Sequence, residues 1–260
     1  MRHHIGFRLG VTIGLAGMLL LSAAAQAPDI PRAADGRPDL SGVWQSGGVS
    51  LYGDQGTAGP PTGPRGAPPL QRAPLSYQPW AVEKQKSLTA VDDPTLRCLL
   101  PGVPRITGMP MPFEIVQTPK KVVILYESFH AFRIIPIDNS LKHPGDVTPT
   151  WMGDSVGRWD RDTLVVDVVG FNDKTWLSGI GSIHTEALHV VERFKLNGDL
   201  TISYEATVED PKALTKPWVT AITLRQPPDT RVEEYECIEN NEDLLRFEKL
   251  LQTDPTLRAK

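Results

Sequence analysis

The 260-residue chain has only two cysteines, Cys98 and Cys237, and no Cys-x-x-Cys pair, so nothing in it argues for redox catalysis. It has no apolar run approaching the ~20 residues that span a bilayer; the nearest, Gly10 to Leu21, is too short and sits at the very start. It also lacks a Gly-x-Ser-x-Gly elbow, a phosphate-binding loop and a dinucleotide fingerprint. Gly179-x-Gly181-Ser182 comes closest but lies among loop residues without a strand before it or a helix after it. Positive charge is not in surplus either. The formal charge of −4 removes the electrostatic reason to bind nucleic acid or an anionic membrane.

Histidine is scarce. Of six, His3 and His4 stand at the start, leaving His130, His143, His184 and His189. His184, Glu186 and His189 look like metal ligands until their spacing is considered: five residues put two rings about 140° apart on a helix and on opposite faces of a strand. The spacing argues against a metal centre on one element, and one assembled from His184, Glu186 and another strand stays as an alternative. No cofactor is expected.

What is present begins with an export signal. Arg2, His3, His4 and Arg8 are followed by the apolar run and by small residues from Ser22 to Ala27, so residues 1–25 read as a signal peptide cut before Gln26, Pro28 disfavouring a later site. No cysteine follows the run and no adjacent arginine pair precedes it, which argues against a lipid anchor and the twin-arginine route. Losing Arg2 and Arg8 takes the charge from −4 to −6. The expected location is the periplasm or outside the cell, without a stable membrane anchor. In that oxidising setting the even cysteine count implies a Cys98–Cys237 disulfide.

Beyond the leader, residues 26–112 hold a first strand within Pro38 to Trp44, a stretch from Gly48 to Pro74 too dense in Gly and Pro for regular structure, and a short helix over Gln78 to Leu88. Residues 113–239 turn to strands: Phe113 to Thr118, Lys121 to Ser128, Ala131 to Ile137, Trp151 to Asp160, Thr163 to Val169, Leu188 to Val208 as a hairpin, Trp218 to Arg225 and Arg231 to Ile238. Residues 240–260 suit a helix capped by Asn240, with Leu244, Phe247, Leu250 and Leu251 on one face. Around ten strands joined mostly by short turns predict an all-β antiparallel meander closing into a lipocalin-like β-barrel, with a Gly/Pro-rich N-terminal arm and a short C-terminal helix.

Strand parity assigns side chains to faces. A three-residue turn at Asn197-Gly198-Asp199 would set Leu196 against Leu200, Phe194 against Ile202 and Glu192 against Tyr204, all on the apolar face. The preceding hairpin, turning at Arg161-Asp162, pairs Trp159 with Leu164 and Gly157 with Val166, and Trp151 and Ser155 share that side. Gly153 and Gly157 leave room there, either for a ligand or for strand curvature.

Two further patterns are resemblances. Gly42-Val43-Trp44 resembles the Gly-x-Trp signature of lipocalins. Over residues 38–245 the chain resembles a widespread family of exported bacterial proteins: Asp39-Leu40-Ser41-Gly42-Val43-Trp44, then Trp159-Asp160-x-Asp162-Thr163-Leu164-Val165-Val166, then His184-x-Glu186-x-Leu188-His189-Val190-x-Glu192-Arg193-Phe194. The resemblance implies a periplasmic or secreted setting and brings no catalytic residues with it.

If the strand before Leu196 starts as early as His184, then His184, Glu186 and Glu192 face inward with Leu188 and Val190, while His189 faces away. Charged groups on an apolar face need partners. They form either a satisfied polar network at the barrel mouth or a pocket walled by Trp151, Trp159, Trp176 and Trp218, with Asn172 and Tyr204 in reach. Three functional classes follow. One is an exported barrel binding a small aromatic or apolar ligand. The second is a cofactor-independent acid/base enzyme using His184 with Glu186 or Asp173. The third is an interaction module docking through the Gly/Pro-rich arm. Lys216 before Pro217 reads as an ordinary solvated lysine.

Overall fold

The computed structural model describes residues 30–46, 74–179, 181–239 and 241–253, so the expected signal peptide and nearly all of the Gly/Pro-rich arm lie outside the described residues. The strands are β1 (Gly42–Ser46), β2 (Phe113–Gln117), β3 (Lys121–Tyr126), β4 (Phe132–Pro136), β5 (Asp154–Asp160), β6 (Thr163–Val169), β7 (His189–Leu196), β8 (Ile202–Glu209) and β9 (Trp218–Arg225). Two helices accompany them, α1 (Pro79–Lys86) and α2 (Glu242–Thr253). Each strand pairs with its neighbour in sequence except β4 and β5, while β1 also pairs with β9. The result is an antiparallel meander forming a nearly closed nine-strand barrel. The first strand therefore belongs to the barrel, which runs from Gly42 to Arg225.

An odd ring cannot alternate direction throughout. The eight sheet pairings, β1 with β9 included, are antiparallel, so β4 and β5 must run parallel where the ring meets itself. One parallel bridge, Ile137 with Gly157, marks that seam. Parallel neighbours need a long crossover rather than a hairpin, and residues 138–153 provide it.

Alternation fills the interior. Val122, Ile124 and Tyr126 of β3, Leu164, Val166 and Val168 of β6, Phe194 and Leu196 of β7, and Trp218, Ile222 and Leu224 of β9 are buried at the inward parity. Removing such a side chain from water is worth about 1.5–3 kcal/mol. In β1, Trp44 is buried and its indole N–H donates to the Leu40 carbonyl at 2.8 Å. Gly42 has φ +131°, and a Cβ there would meet the Gln226 amide at 2.7 Å. The Gly-x-Trp spacing thus has a packing reason. At one end Ile106, Thr107 and Gly108 are buried in the turn Arg105–Gly108, and Ser46 Oγ donates to the Gly108 and Met109 carbonyls.

Cys98 and Cys237 form the expected disulfide, with Cα atoms 5.6 Å apart. Other expectations need correction. Arg231 to Ile238 is not a strand: its half-buried residues, Val232, Tyr235 and Cys237, keep no period of two, and its backbone N–H groups bond to single side chains, Glu233 to Glu127, Tyr235 to His130 and Ile238 to Glu236. Nor does β5 reach back to Trp151; it starts at Asp154, after Gly153 at φ +70°. The β7–β8 loop spans five residues, not three. Leu200 adopts φ +57°, Asp199 accepts from the Thr201 N–H and hydroxyl, and Asn197 N–H reaches the Thr201 carbonyl. Leu196 consequently faces Ile202, Phe194 faces Tyr204 and Glu192 faces Ala206. A two-residue shift preserves parity, so Glu192, Phe194, Ile202 and Tyr204 all still point inward. The β5–β6 register is as expected, with Trp159 opposite Leu164 and Gly157 opposite Val166. The room at Gly157 is taken by the seam: a Cβ there would meet Ile137 at 2.9 Å and Ile135 at 3.0 Å. The C-terminal helix is present, although Asn240 and the side chains of Leu244, Phe247 and Leu251 lie outside what is described.

Candidate functional site

Three polar clusters stand out: one inside the barrel, one in a loop at its end and one on its outer wall. The first is built on β4, β5, β7 and β8. Arg133 reaches across the interior to Glu192 in a bidentate pair, 3.1 Å from Nη1 to Oε1 and 2.5 Å from Nη2 to Oε2. Nη2 also donates to Ser155 Oγ at 2.9 Å, and the Tyr204 hydroxyl donates to Glu192 Oε1 at 2.9 Å. Tyr126 is close enough to Arg133 to interact with it electrostatically, and its hydroxyl lies 3.3 Å from Thr107 Oγ1.

Burial disfavours the charged guanidinium, but Glu192 and then Tyr126 outweigh it and hold the Arg133 pKa above its ordinary value. Burial raises both tyrosine hydroxyls, that of Tyr204 strongly, with the Glu192 charge adding to it. The belt is therefore a fixed ion pair flanked by neutral phenols. Two of its buried atoms have no hydrogen-bond partner among the described residues: Arg133 Nε and Thr220 Oγ1. Thr220 lies in the Glu192–Ala206–Thr220 row and shares the inward parity of Trp218 and Ile222. Ala206 between them projects only a methyl group. The belt is closed to solvent, Arg133 being 3% and Glu192 0% exposed.

The second cluster contains His184, and here parity misled. Ser182 to Ala187 is loop and β7 begins at His189, so His184 and Glu186 are not brought into one cavity. His184 is buried, with Nδ1 3.0 Å from the Thr185 carbonyl and Nε2 2.6 Å from Thr175 Oγ1. A carbonyl only accepts, so Nδ1 carries the proton and Nε2 accepts from the threonine. Burial lowers the ring's pKa and keeps it neutral. Phe171 packs edge-on against it. Glu186 is exposed on a turn and Asp173 is exposed, so neither carboxylate orients the imidazole. Asp210 is satisfied by Thr185, Lys212 and Ala213.

The tryptophans are dispersed. Trp218 is buried on β9; Trp159, partly buried, packs against the core, with the Arg37 guanidinium 5.8 Å from its ring centre. Trp176 is buried in the loop, bridging to Ile183; Trp151 lies before β5; and Asn172 holds the local turn by accepting from the Lys174 N–H. Glu192, Tyr204 and Trp218 are thus the fully buried inward-facing members of the expected set, and Trp159, opposite Leu164, shares their parity while staying partly exposed. Lys216 is exposed.

The chain matches no family model, no curated protein and no solved structure. The site has to be read from its own chemistry.

The third cluster was not anticipated. His143, in the crossover, places Nδ1 2.6 Å from Asp154 Oδ1 and Nε2 2.9 Å from Asp167 Oδ1. The other oxygen of Asp167 meets His189 Nε2 at 2.9 Å, and His189 Nδ1 lies 3.6 Å from Glu209. Among the described residues no group of His, Cys, Asp and Glu is arranged to hold a metal ion.

Sequence reasoning also missed Arg133. In Phe132-Arg133-Ile134-Ile135 both faces look apolar, and Phe132 and Ile134, 62% and 53% exposed, turn out to be the outer ones. The available signal was Ile135 and Ile137 at the parity of Arg133, which would have placed a cation inside.

Proposed function

We propose that this is an exported barrel that binds a small, largely apolar molecule carrying one hydrogen-bond-accepting oxygen, held at the Arg133–Glu192–Tyr204 belt. The observation that carries the reading is the pair of inward-facing polar atoms with no partner, Arg133 Nε and Thr220 Oγ1, beside a buried ion pair. A buried ion pair adds little net stability compared with apolar residues of the same volume, and an unpaired buried polar atom costs about 1–3 kcal/mol. Both features fit a site kept for recognition. Because Glu192 already neutralises Arg133, the belt favours an uncharged ligand. The free N–H and hydroxyl suit a carbonyl or hydroxyl oxygen, and Phe194, Ile222 and Trp218 suit an apolar body. The disulfide is compatible with an oxidising compartment.

Native mass spectrometry of protein recovered from the exporting cell tests this. A co-purifying molecule should be released on denaturation, and Thr220→Val should weaken its rebinding roughly 3- to 10-fold, the worth of one hydrogen bond. Empty protein, or a ligand held equally well by Thr220→Val and Arg133→Met, would remove the belt as the site. The acid/base-enzyme reading is not favoured, because His184 spends both ring nitrogens on Thr175 and the Thr185 carbonyl.

A further inference from the structure

The belt is closed, so a ligand needs a way in. The nine-strand ring has two short junctions: β1 meets β9 at two residue pairs, Gln45 with Arg225 and Ser46 with Leu224, and β4 meets β5 at fewer still. Between β4 and β5 a single bridge joins the strands, its hydrogen bond running from Asp138 N–H to the Gly157 carbonyl at 2.8 Å. Neighbouring pairs are laddered along most of their length. Inside the barrel the β4–β5 line is crossed by the Arg133–Ser155 hydrogen bond, which places the belt directly behind it.

Outside the barrel the line is spanned by the crossover. Its far end is fastened by backbone, Thr150 N–H to the Gly170 carbonyl and Asn172 N–H to the Thr150 carbonyl. Among the described residues, the hydrogen bonds running from 139–149 to the barrel wall are the two made by His143. Ionised Asp154 and Asp167 only accept, so both ring nitrogens must carry hydrogens: the geometry is that of an imidazolium. A neutral ring can serve one carboxylate and turns a lone pair toward the other.

We propose that the barrel opens along the β4–β5 seam and that His143 is a protonation-dependent latch holding the crossover shut across it. This deepens the binding reading above by giving the belt a regulated doorway. The groups facing the latch are Asp154 of β5, Asp167 of β6, His189 of β7 and Glu209 of β8, with Lys142 and Asp146 exposed beside it on the crossover. Arg158 and Arg193 lie further along the same outer face, and Arg193 is engaged with Asp160 at 3.2 Å. The carboxylates directly touching His143 thus favour its cationic form. Partial burial pulls the ring down, and the hydrogen bonds it donates to Asp154 and Asp167 together override it and raise its pKa above the ordinary value near 6.5. The latch is closed below that raised pKa and released as pH climbs through it.

Amide hydrogen exchange on the full exported protein from pH 5 to 9, corrected for intrinsic exchange, tests the idea without any ligand. Segments 133–143 and 154–160 should exchange on the order of tenfold faster above the transition, while β8 and β9 stay protected; a charge-assisted hydrogen bond sets that scale. In His143→Gln the seam should exchange at the fast rate at every pH. In Asp154→Asn, where one acceptor suffices, the step should shrink and move to lower pH. Flat exchange in the wild type, or an unchanged step in folded His143→Gln, would overturn the latch. Binding of the neutral probe N-phenyl-1-naphthylamine separates the two ideas: an exchange step with no probe uptake at any pH supports the latch and counts against the binding reading.

Discussion

Replacing Arg133 with methionine removes one partner from the most deeply buried ion pair of the barrel. The guanidinium makes two bonds to Glu192 and one to Ser155, and all three residues are nine-tenths or more buried. Glu192 would retain the Tyr204 hydroxyl and lose its only cation among the described residues. Breaking such a pair from one side costs about 3–5 kcal/mol, because an uncompensated charge stays in a medium that cannot solvate it. Replacing both partners, as in Arg133→Met with Glu192→Leu, should be far milder, since the apolar pair avoids desolvation altogether. The single variant alone should recover part of its loss toward acid pH, where a proton can neutralise the carboxylate. Urea unfolding followed by tryptophan fluorescence measures both. With m near 1–3 kcal/mol/M, the single variant should lower the midpoint by more than one molar and the double variant by much less. A single variant within about 1 kcal/mol of wild type, or a double variant worse than the single, would refute the idea that Arg133 chiefly compensates Glu192.

Four further outcomes are expected. Because His184 is held neutral, with its pKa lowered by burial, the unfolded chain binds the extra proton; wild-type stability should fall as pH drops below about 6.5, and His184→Gln should lose that slope in pH-dependent unfolding. His143 acts in the opposite sense, its contribution being complete below about 6.5 and lost above its raised pKa, so the two histidines are separable by the sign of the pH effect. Gly157→Val should destabilise by about 1–3 kcal/mol through overpacking against Ile135 and Ile137, measured by thermal unfolding. Cys98→Ser should release a 139-residue tether worth about 5 kcal/mol in the chain-entropy model, visible as a lowered unfolding midpoint that reductant reproduces in the wild type.

How much the sequence disclosed varied with the kind of constraint. Thr163–Val169 and Trp218–Arg225 were legible residue by residue, because one face is apolar, broken only by Thr220 in the second, and turn residues bound both ends. The β7–β8 loop was legible in parity and not in register. Nothing in Asn197-Gly198-Asp199-Leu200-Thr201 announces that Leu200 will take a left-handed conformation, which is a tertiary outcome. Arg231 to Ile238 holds strand-forming residues without a period of two, and a strand also needs a partner edge; the disulfide and side-chain contacts to Glu127 and His130 hold the segment instead. At the site, Glu192 and Tyr204 were found by alternation. His184 and Glu186 were misassigned by extending that alternation into loop, and Arg133 was lost between two apolar faces. His143 offered no local signal at all, since its partners lie 11 and 24 residues away on different strands.

The position of β1 constrains how the barrel can assemble. Strands β2 to β4 and β5 to β9 are two ribbons of local hairpins, each able to form early because little chain must be closed to make them. Their union depends on a five-residue strand from near the start, whose Gln45 and Ser46 meet Arg225 and Leu224 at the far end of the barrel sequence. Contacts of that separation slow folding. Until the last strand exists, β1 has only one of its two neighbours, and the hydrogen-bonding edge meant for β9 stays open to other chains. During synthesis the protein thus carries this edge unpaired for almost the whole length of its barrel, and pairing with β9 is the event that covers it.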